Sequence, residues 1–294
     1  MIASRHNRTL KDIRRCRRSK GDHALLEGPH LAAEALAAGL RLDLVLATPE
    51  FLASPAGRSL SAALPSPAQP VAAQLLDELA DADSPRGVLA VAHLPRHGVE
   101  ALPLPGGPAT YLFVEGLQDP GNLGALARVA EAAGAAGMAL AGGTVHPNHP
   151  RALRASAGSL LRLPVATGAT LAGLDSHLAR GADGGGGTCL GGDAEGDAGD
   201  GGGAARSPTW IALVPRGGID LYDLPGAALA GTLVLALGAE GPGVSPALLG
   251  HAGLRLTIPV APPVESLNAT VAAALVLYEL RRRRARQAAP AASN

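Results

Sequence analysis

Apolar residues follow two rhythms along this chain. Leu254, Leu256 and Ile258 alternate with polar residues, the period of a strand with one buried face. The runs Tyr111-Leu112-Phe113-Val114 and Leu233-Val234-Leu235-Ala236-Leu237 are unbroken, as expected of central parallel strands covered on both sides. Leu123, Leu126, Val129, Ala130 and Ala133 recur at helical spacing, so residues 123–133 predict a helix that Gly134 ends. Residues 138–141 predict the next strand, and strand, loop, helix, strand is a parallel βαβ unit. Beyond Ile258, Pro259, Pro262 and Pro263 forbid helix and make residues 259–265 a rigid loop. Ser266 is the expected N-cap of a helix over 267–284.

The N-terminal part reads as a smaller alternating domain. Leu10, Ile13 and Cys16 form the apolar stripe of a basic helix over 7–20. Strands are predicted at 24–28, at 42–47 (closed by Pro49) and at 88–93, with a helix at 30–38 stopped by Gly39. Residues 66–70 break the chain, and 71–80 fit a passage from strand to helix. The expected division is a domain at 1–94, a Pro/Gly-rich linker at 95–108, a second domain at 109–286 and a disordered tail at 287–294. Residues 183–206 are Gly/Asp/Ala-rich, lack residues that could pack, and are expected to be a disordered insertion.

Composition narrows the class. The 294 residues are 47% hydrophobic but only 2% aromatic, so cores must form by close contacts of Ala, Leu and Val. Cys16 and Cys189 have no metal-ligand spacing, and no His/Cys cluster is visible, so no metal is expected. A reduced, cytoplasmic protein is the simpler reading; no secretory signal is visible, and the apolar run 271–280 is too short to span a bilayer. Net charge is zero, yet residues 5–20 carry a net charge of +7 and residues 281–286 hold five arginines. Basic ends on an otherwise acidic chain suggest a polyanion, with Arg14, Arg15, Arg17 and Arg18 as candidate RNA contacts and salt-sensitive binding expected.

Candidate chemistry lies at the strand ends, where ligands bind in open parallel sheets. The loop Asp119-Pro120-Gly121 precedes Asn122, an N-cap candidate, and Gly124 leaves room for Arg128 one turn on. Arg151 and Arg154 beside that loop are candidate phosphate contacts. Arg154-Ala155-Ser156-Ala157-Gly158 lacks the first glycine of a nucleophile elbow. Gly238-Ala239-Glu240-Gly241-Pro242-Gly243 follows a strand without the order of the dinucleotide fingerprint. Glu27 and His30 read as a strand-end carboxylate and an ordinary helix-start residue.

Three stretches carry a resemblance. D-P-x-N-L-G-A-x-x-R-x-A-x-A-A-G from Asp119, L-x-L-G-A-E-G-x-G from Leu235 and I-P-x-x-x-x-V-x-S-L-N-x-x-V-A from Ile258 resemble, in order, the three motifs of the SpoU/TrmH RNA ribose 2'-O-methyltransferases of the SPOUT superfamily. L-L-E-G-x-x-L-x-x-E-A-L from Leu25 resembles the substrate-binding domain of many members. The resemblance implies an α/β fold: a trefoil-knotted parallel-sheet domain preceded by a small α/β RNA-binding domain. It implies S-adenosylmethionine as methyl donor, held by Leu237, Gly238, Gly241, Ile258, Ser266 and Leu267. It implies catalytic roles for Asn122, Arg128, Glu240, Ser266 and Asn268, and a homodimer in which the partner's motif-one residues complete the site. Arg128 is then either the base or a phosphate clamp. The expected substrate is 23S rRNA, with tRNA second and an antibiotic-resistance role open. Outside that reading stand a non-catalytic RNA-binding paralogue and a nucleotide-dependent oxidoreductase.

Overall fold

The computed structural model describes residues 1–18, 21–80, 86–182 and 207–288. The expectations for residues 183–206 and for the end of the tail lie outside the described residues, as do the side chains of Arg15, Arg17 and Arg18.

The N-terminal domain is a four-stranded sheet with helices on both faces. In chain order it comprises α1 (Arg8–Arg18), β1 (His23–Glu27), α2 (Pro29–Ala37), β2 (Leu42–Ala47), α3 (Pro49–Ala53), α4 (Pro55–Ala63), β3 (Gln69–Pro70), α5 (Ala73–Leu79) and β4 (Val88–His93). The strand order is β1-β4-β2-β3, with β4 antiparallel to both its neighbours. Leu10 and Ile13 of α1 are buried against Leu25, Leu46, Leu89 and Val91, as the stripe required. Pro49 does more than close β2. Thr48-Pro49 and Ser54-Pro55 each place a hydroxyl cap before a proline at the first helical position, and α3 and α4 follow.

Residues 95–108 are laid against the second domain. Arg96 donates to Asn148 Oδ1 and to Leu160 O, both at 2.8 Å. Leu102 is buried, and the Tyr111 hydroxyl donates to Pro103 O at 2.6 Å.

The second domain continues with β5 (Thr110–Val114), α6 (Pro120–Ala133), β6 (Gly137–Ala141), α7 (Pro150–Ala155), α8 (Ser159–Arg162), β7 (Val165–Ala169) and α9 (Leu171–Ala182). After the insertion come β8 (Thr209–Leu213), β9 (Ile219–Asp220), β10 (Leu233–Leu237), α10 (Pro246–His251), β11 (Leu254–Thr257) and α11 (Ala269–Ala288). The sheet is parallel throughout, in the order β7-β6-β5-β10-β8-β11-β9. The chain leaves β5 toward β6 and leaves the adjacent β10 toward β11, so the order reverses between them. A crevice for ligands opens at such a switch point, at the carboxyl ends of the strands. From β11 the chain runs back over that edge, and α11 packs on α6.

One apolar core runs through both domains, from Leu26 and Ala90 through Ala152 and Leu153 of α7 to Leu112, Leu126 and Val276. Gly124 makes the close α6–α7 approach possible. A Cβ there would lie 2.2 Å from Ala152 O and 2.7 Å from Ala155 Cβ. The space expected to admit Arg128 is therefore filled by α7.

Candidate active site

The site is built where β10, α6 and α11 converge. β10 is fully buried and ends at Leu237, just before Gly238. Ala239 and Gly243 exchange two backbone hydrogen bonds of 2.9 Å, folding the motif back on itself. A Cβ on Gly238 would lie 2.2 Å from the Gly243 carbonyl, so only glycine fits there. Gly241 takes a left-handed φ of 90° beside Glu240, at the tip of the turn.

Asn122 is not the cap of α6. Asp119 is: its carboxylate accepts from Asn122 N at 2.7 Å, and Pro120 occupies the first helical position. Asn122 is thereby the third helical residue, with its side-chain amide available. That amide donates from Nδ2 to Glu240 Oε1 and accepts at Oδ1 from Asn268 Nδ2 at 3.2 Å. Its backbone carbonyl accepts from Thr270 Oγ1 at 3.1 Å.

The start of α11 also differs from expectation. The helix begins at Ala269 instead of Leu267. Asn268 caps it, its Oδ1 accepting from Thr270 N at 2.9 Å, and Ser266 belongs to the loop before it. Because Oδ1 is committed to the helix, the amide nitrogen of Asn268 is aimed at Asn122. Asn268, Asn122 and Glu240 form one relay joining the start of α11, the first turn of α6 and the loop after β10.

This relay borders a cavity of about 430 Å³, within the range of roughly 300–1,000 Å³ usual for small-molecule sites. Leu237, Gly238, Gly241, Ile258, Ser266 and Leu267 line it, together with Asn122, Glu240 and Asn268. The sequence reading missed Leu213, Val214 and Pro215 at the end of β8, and Val260 and Glu265 in the loop after β11. The β8 run was visible as a strand, but its position beside β10 comes only from the sheet order.

The arginines separate into different settings. Arg128 is exposed, does not line the cavity, and makes no hydrogen bond or ion pair among the described residues. Six residues beyond Asn122 it points to another side of α6. Arg151 lies 3.9 Å from Asp119, at the mouth of the motif-one loop. Arg154, read as a phosphate contact, instead pairs with Glu27, whose side chain is only 1% exposed. It joins α7 to β1 and is structurally committed. Arg14 lies 3.8 Å from Glu78 on α5.

Residues 109–181 and 204–278 match the model of the SpoU rRNA Methylase family, and residues 7–90 that of an MRM3-like substrate binding domain. A Synechocystis protein named as an uncharacterized tRNA/rRNA methyltransferase is 30% identical over 288 residues, covering 96% of this chain and 93% of the relative. The chain belongs to the SpoU rRNA methylase family. Another relative, the 23S rRNA (guanosine(2553)-2'-O)-methyltransferase RlmP of Bacillus subtilis, is 26% identical over 285 residues, 95% of this chain and 98% of RlmP. Among solved structures, the SpoU methyltransferase AviRb of Streptomyces viridochromogenes, in complex with AdoMet, superposes with a TM-score of 0.80 at 24% identity, covering 95% of this chain and 99% of AviRb. An RNA 2'-O ribose methyltransferase superposes with a TM-score of 0.74 at 28% identity, covering 97% and 99% of the two chains. The α/β class and the two-part organisation of this SpoU protein thus agree with expectation.

Proposed function

We infer that this protein transfers a methyl group from S-adenosylmethionine to a ribose 2'-hydroxyl of RNA, with 23S rRNA as the substrate. The observation that carries the reading is the relay Asn268–Asn122–Glu240 at the edge of a cavity lined by all six residues expected to hold the donor. RlmP, which aligns along nearly the whole chain, supports the ribose and 23S rRNA assignments. The AviRb complex supports the donor. The trefoil knot belongs to the same reading. The return of the chain from β11 over the sheet edge to α6 supports it.

In this reading the adenosine part lies against Leu237, Ile258 and Leu267, with Gly238 letting the backbone approach. In-line transfer would join the 2'-oxygen to the methyl carbon as the carbon–sulfur bond breaks, leaving a neutral thioether, and the hydroxyl proton would pass to solvent water. Orientation supplies most of the gain, up to roughly 7–11 kcal/mol. Arginine is permanently protonated, so Arg128 serves as a phosphate clamp. Glu240 uses Oε1 for Asn122 and retains Oε2 as an acceptor toward the ribose.

Arg128 does not reach the cavity of its own chain, so a second copy supplies it. Val271, Leu275 and Tyr278 form an exposed stripe on α11, at 49%, 44% and 50% exposure, beside the helix that carries Arg128. A homodimer covers that stripe and completes the site.

The test is transfer of labelled methyl from S-adenosylmethionine to protein-free 23S rRNA and to bulk tRNA, with the product mapped by nuclease digestion. A 2'-O-methylated rRNA product is expected. Methylation of tRNA alone would move the substrate. Absence of donor binding would sink the enzyme and leave an RNA-binding paralogue.

A further inference from the structure

The N-terminal sheet gathers a set of side chains away from the methyl-transfer cavity. His23 on β1 and His93 on β4 are direct cross-strand partners. Their rings stand edge to face with centroids 5.6 Å apart. The third member comes from β2, through an irregularity. Leu42 pairs with Ala92 but Leu44 pairs with Val91, so Asp43 is an extra residue in the strand. A bulge of this kind re-aims side chains. Leu44 joins Leu25 and Val91 in the cluster under α1, while Leu42 packs against the core on the other face. The bulge therefore brings Asp43 to the face that carries both histidines.

We propose that His23, Asp43 and His93 form a binding site for one divalent transition cation of the zinc type. One ligand atom from each residue lies within 4.8 Å of the others, and this is the cluster of three such groups found among the described residues. His23 Nε2 and Asp43 Oδ2 are 3.3 Å apart. Two ligand bonds of about 2.0–2.1 Å in tetrahedral geometry hold their donor atoms roughly 3.3 Å apart, so this pair needs no rearrangement. His93 Nδ1 is shielded from solvent and has no hydrogen-bond partner among the described residues. Such an orphaned ring nitrogen is costly unless something binds it. Arg41 holds the other oxygen of Asp43 through its Nε at 2.8 Å, orienting the carboxylate but withdrawing part of its charge. Two imidazoles and one carboxylate suit Zn²⁺, Ni²⁺ or Cu²⁺ and disfavour Mg²⁺, which prefers oxygen ligands and its own waters.

A bound cation would tie the free ends of β1 and β4 together. Asn148 of the second domain donates to Leu94 O at 2.9 Å and to Gly21 O at 3.4 Å, directly beside those ends. The site thus borders the junction of the two domains and lies outside the methyl-transfer cavity.

The experiment is titration of the untagged full chain with ZnCl₂ by calorimetry and thermal shift, with MgCl₂ as control. One Zn²⁺ per chain and a raised melting temperature are expected. His23→Gln and Asp43→Asn, both at exposed positions, should each weaken binding by about 10–100-fold, at least the cost of losing an outer-sphere partner. No binding by the wild type overturns the proposal. Binding of undiminished strength in both His23→Gln and Asp43→Asn, with circular dichroism unchanged, also overturns it, because the cation then sits elsewhere.

Discussion

Two polar networks in this molecule draw on the same amides and carboxylates for opposite ends, and only the one at the domain junction adds arginines. At the domain junction, Arg96, Asn148, Arg154 and Glu27 bond inward. Asn148 and Glu27 are buried, and Asn148 alone makes three side-chain hydrogen bonds, to Arg96, Leu94 and Gly21. Burial lowers the Arg96 guanidinium to about 10 without discharging it at neutral pH. At the strand ends, Asn122, Glu240 and Asn268 bond to one another yet stay open, with Glu240 and Asn268 exposed. A polar cluster with every partner internal is a fastener. One with vacant lone pairs beside a cavity can act on a ligand.

The comparison is broken most directly at Asn122. Asn122→Ala should lower methyl transfer by about 10²-fold or more, since a misplaced reacting group costs that much. Its melting temperature should stay near that of the wild type, because the network faces water. Arg128→Ala should be as inactive. Mixed dimers of the two variants should regain activity, since one site then has both residues. Mixtures that remain inactive after subunit exchange would place both residues in one chain's site.

Gly238→Ala is the next largest effect. The added Cβ would strike the Gly243 carbonyl at 2.2 Å and open the motif-two turn. Overpacking of this kind costs roughly 1–3 kcal/mol. The loss should appear as weaker S-adenosylmethionine binding by calorimetry, about tenfold to hundredfold, with the N-terminal domain unaffected.

The junction gives the opposite signature. Arg96→Ala removes two charge-assisted hydrogen bonds and leaves Asn148 short of a partner, a loss of about 2 kcal/mol in stability. Urea unfolding should show it while donor affinity holds. A large drop in donor affinity in a folded Arg96→Ala protein would mean that the two networks are coupled.

These networks were unequally legible. The motif loops carry their own local signals: glycines where the backbone turns back, a cap residue and a proline at helix starts. Even there, adjacent candidates were confused. Asp119-Pro120 is a stronger start signal than Asn122, and Ser266 and Asn268 are both good caps two residues apart. The wall supplied by Leu213 to Pro215 depends on which strand lies next to β10, which no local pattern records. The junction depends wholly on tertiary placement. Arg154 pairs with a residue 127 positions away, and Arg96 lies in a Pro/Gly-rich stretch that reads as a tether. The histidine–aspartate cluster depends on a bulge and on three strands brought side by side.

Acid probes a third contact, one that adds to the fastening at the junction and leaves the open network untouched. Arg162 on α8 bonds Glu131 on α6 through Nε at 2.7 Å and also pairs with Glu34 on α2 of the N-terminal domain. The hydrogen bond from Arg162 holds the Glu131 carboxyl below its ordinary value of 4.5. A carboxyl lowered in the folded state contributes stability that is present above its unfolded pKa and is lost as pH falls through the folded one. Stability should therefore decline as pH drops below about 4.5, and Arg162→Ala should flatten that part of the profile. The groups are partly exposed, so the difference should stay below about 1 kcal/mol. Chemical denaturation at pH 6 and pH 3.5, with and without the substitution, reads it. Equal acid sensitivity in both proteins would show that the Arg162 bridge adds nothing to the fastening of the two domains, leaving that task to Arg96 and Arg154.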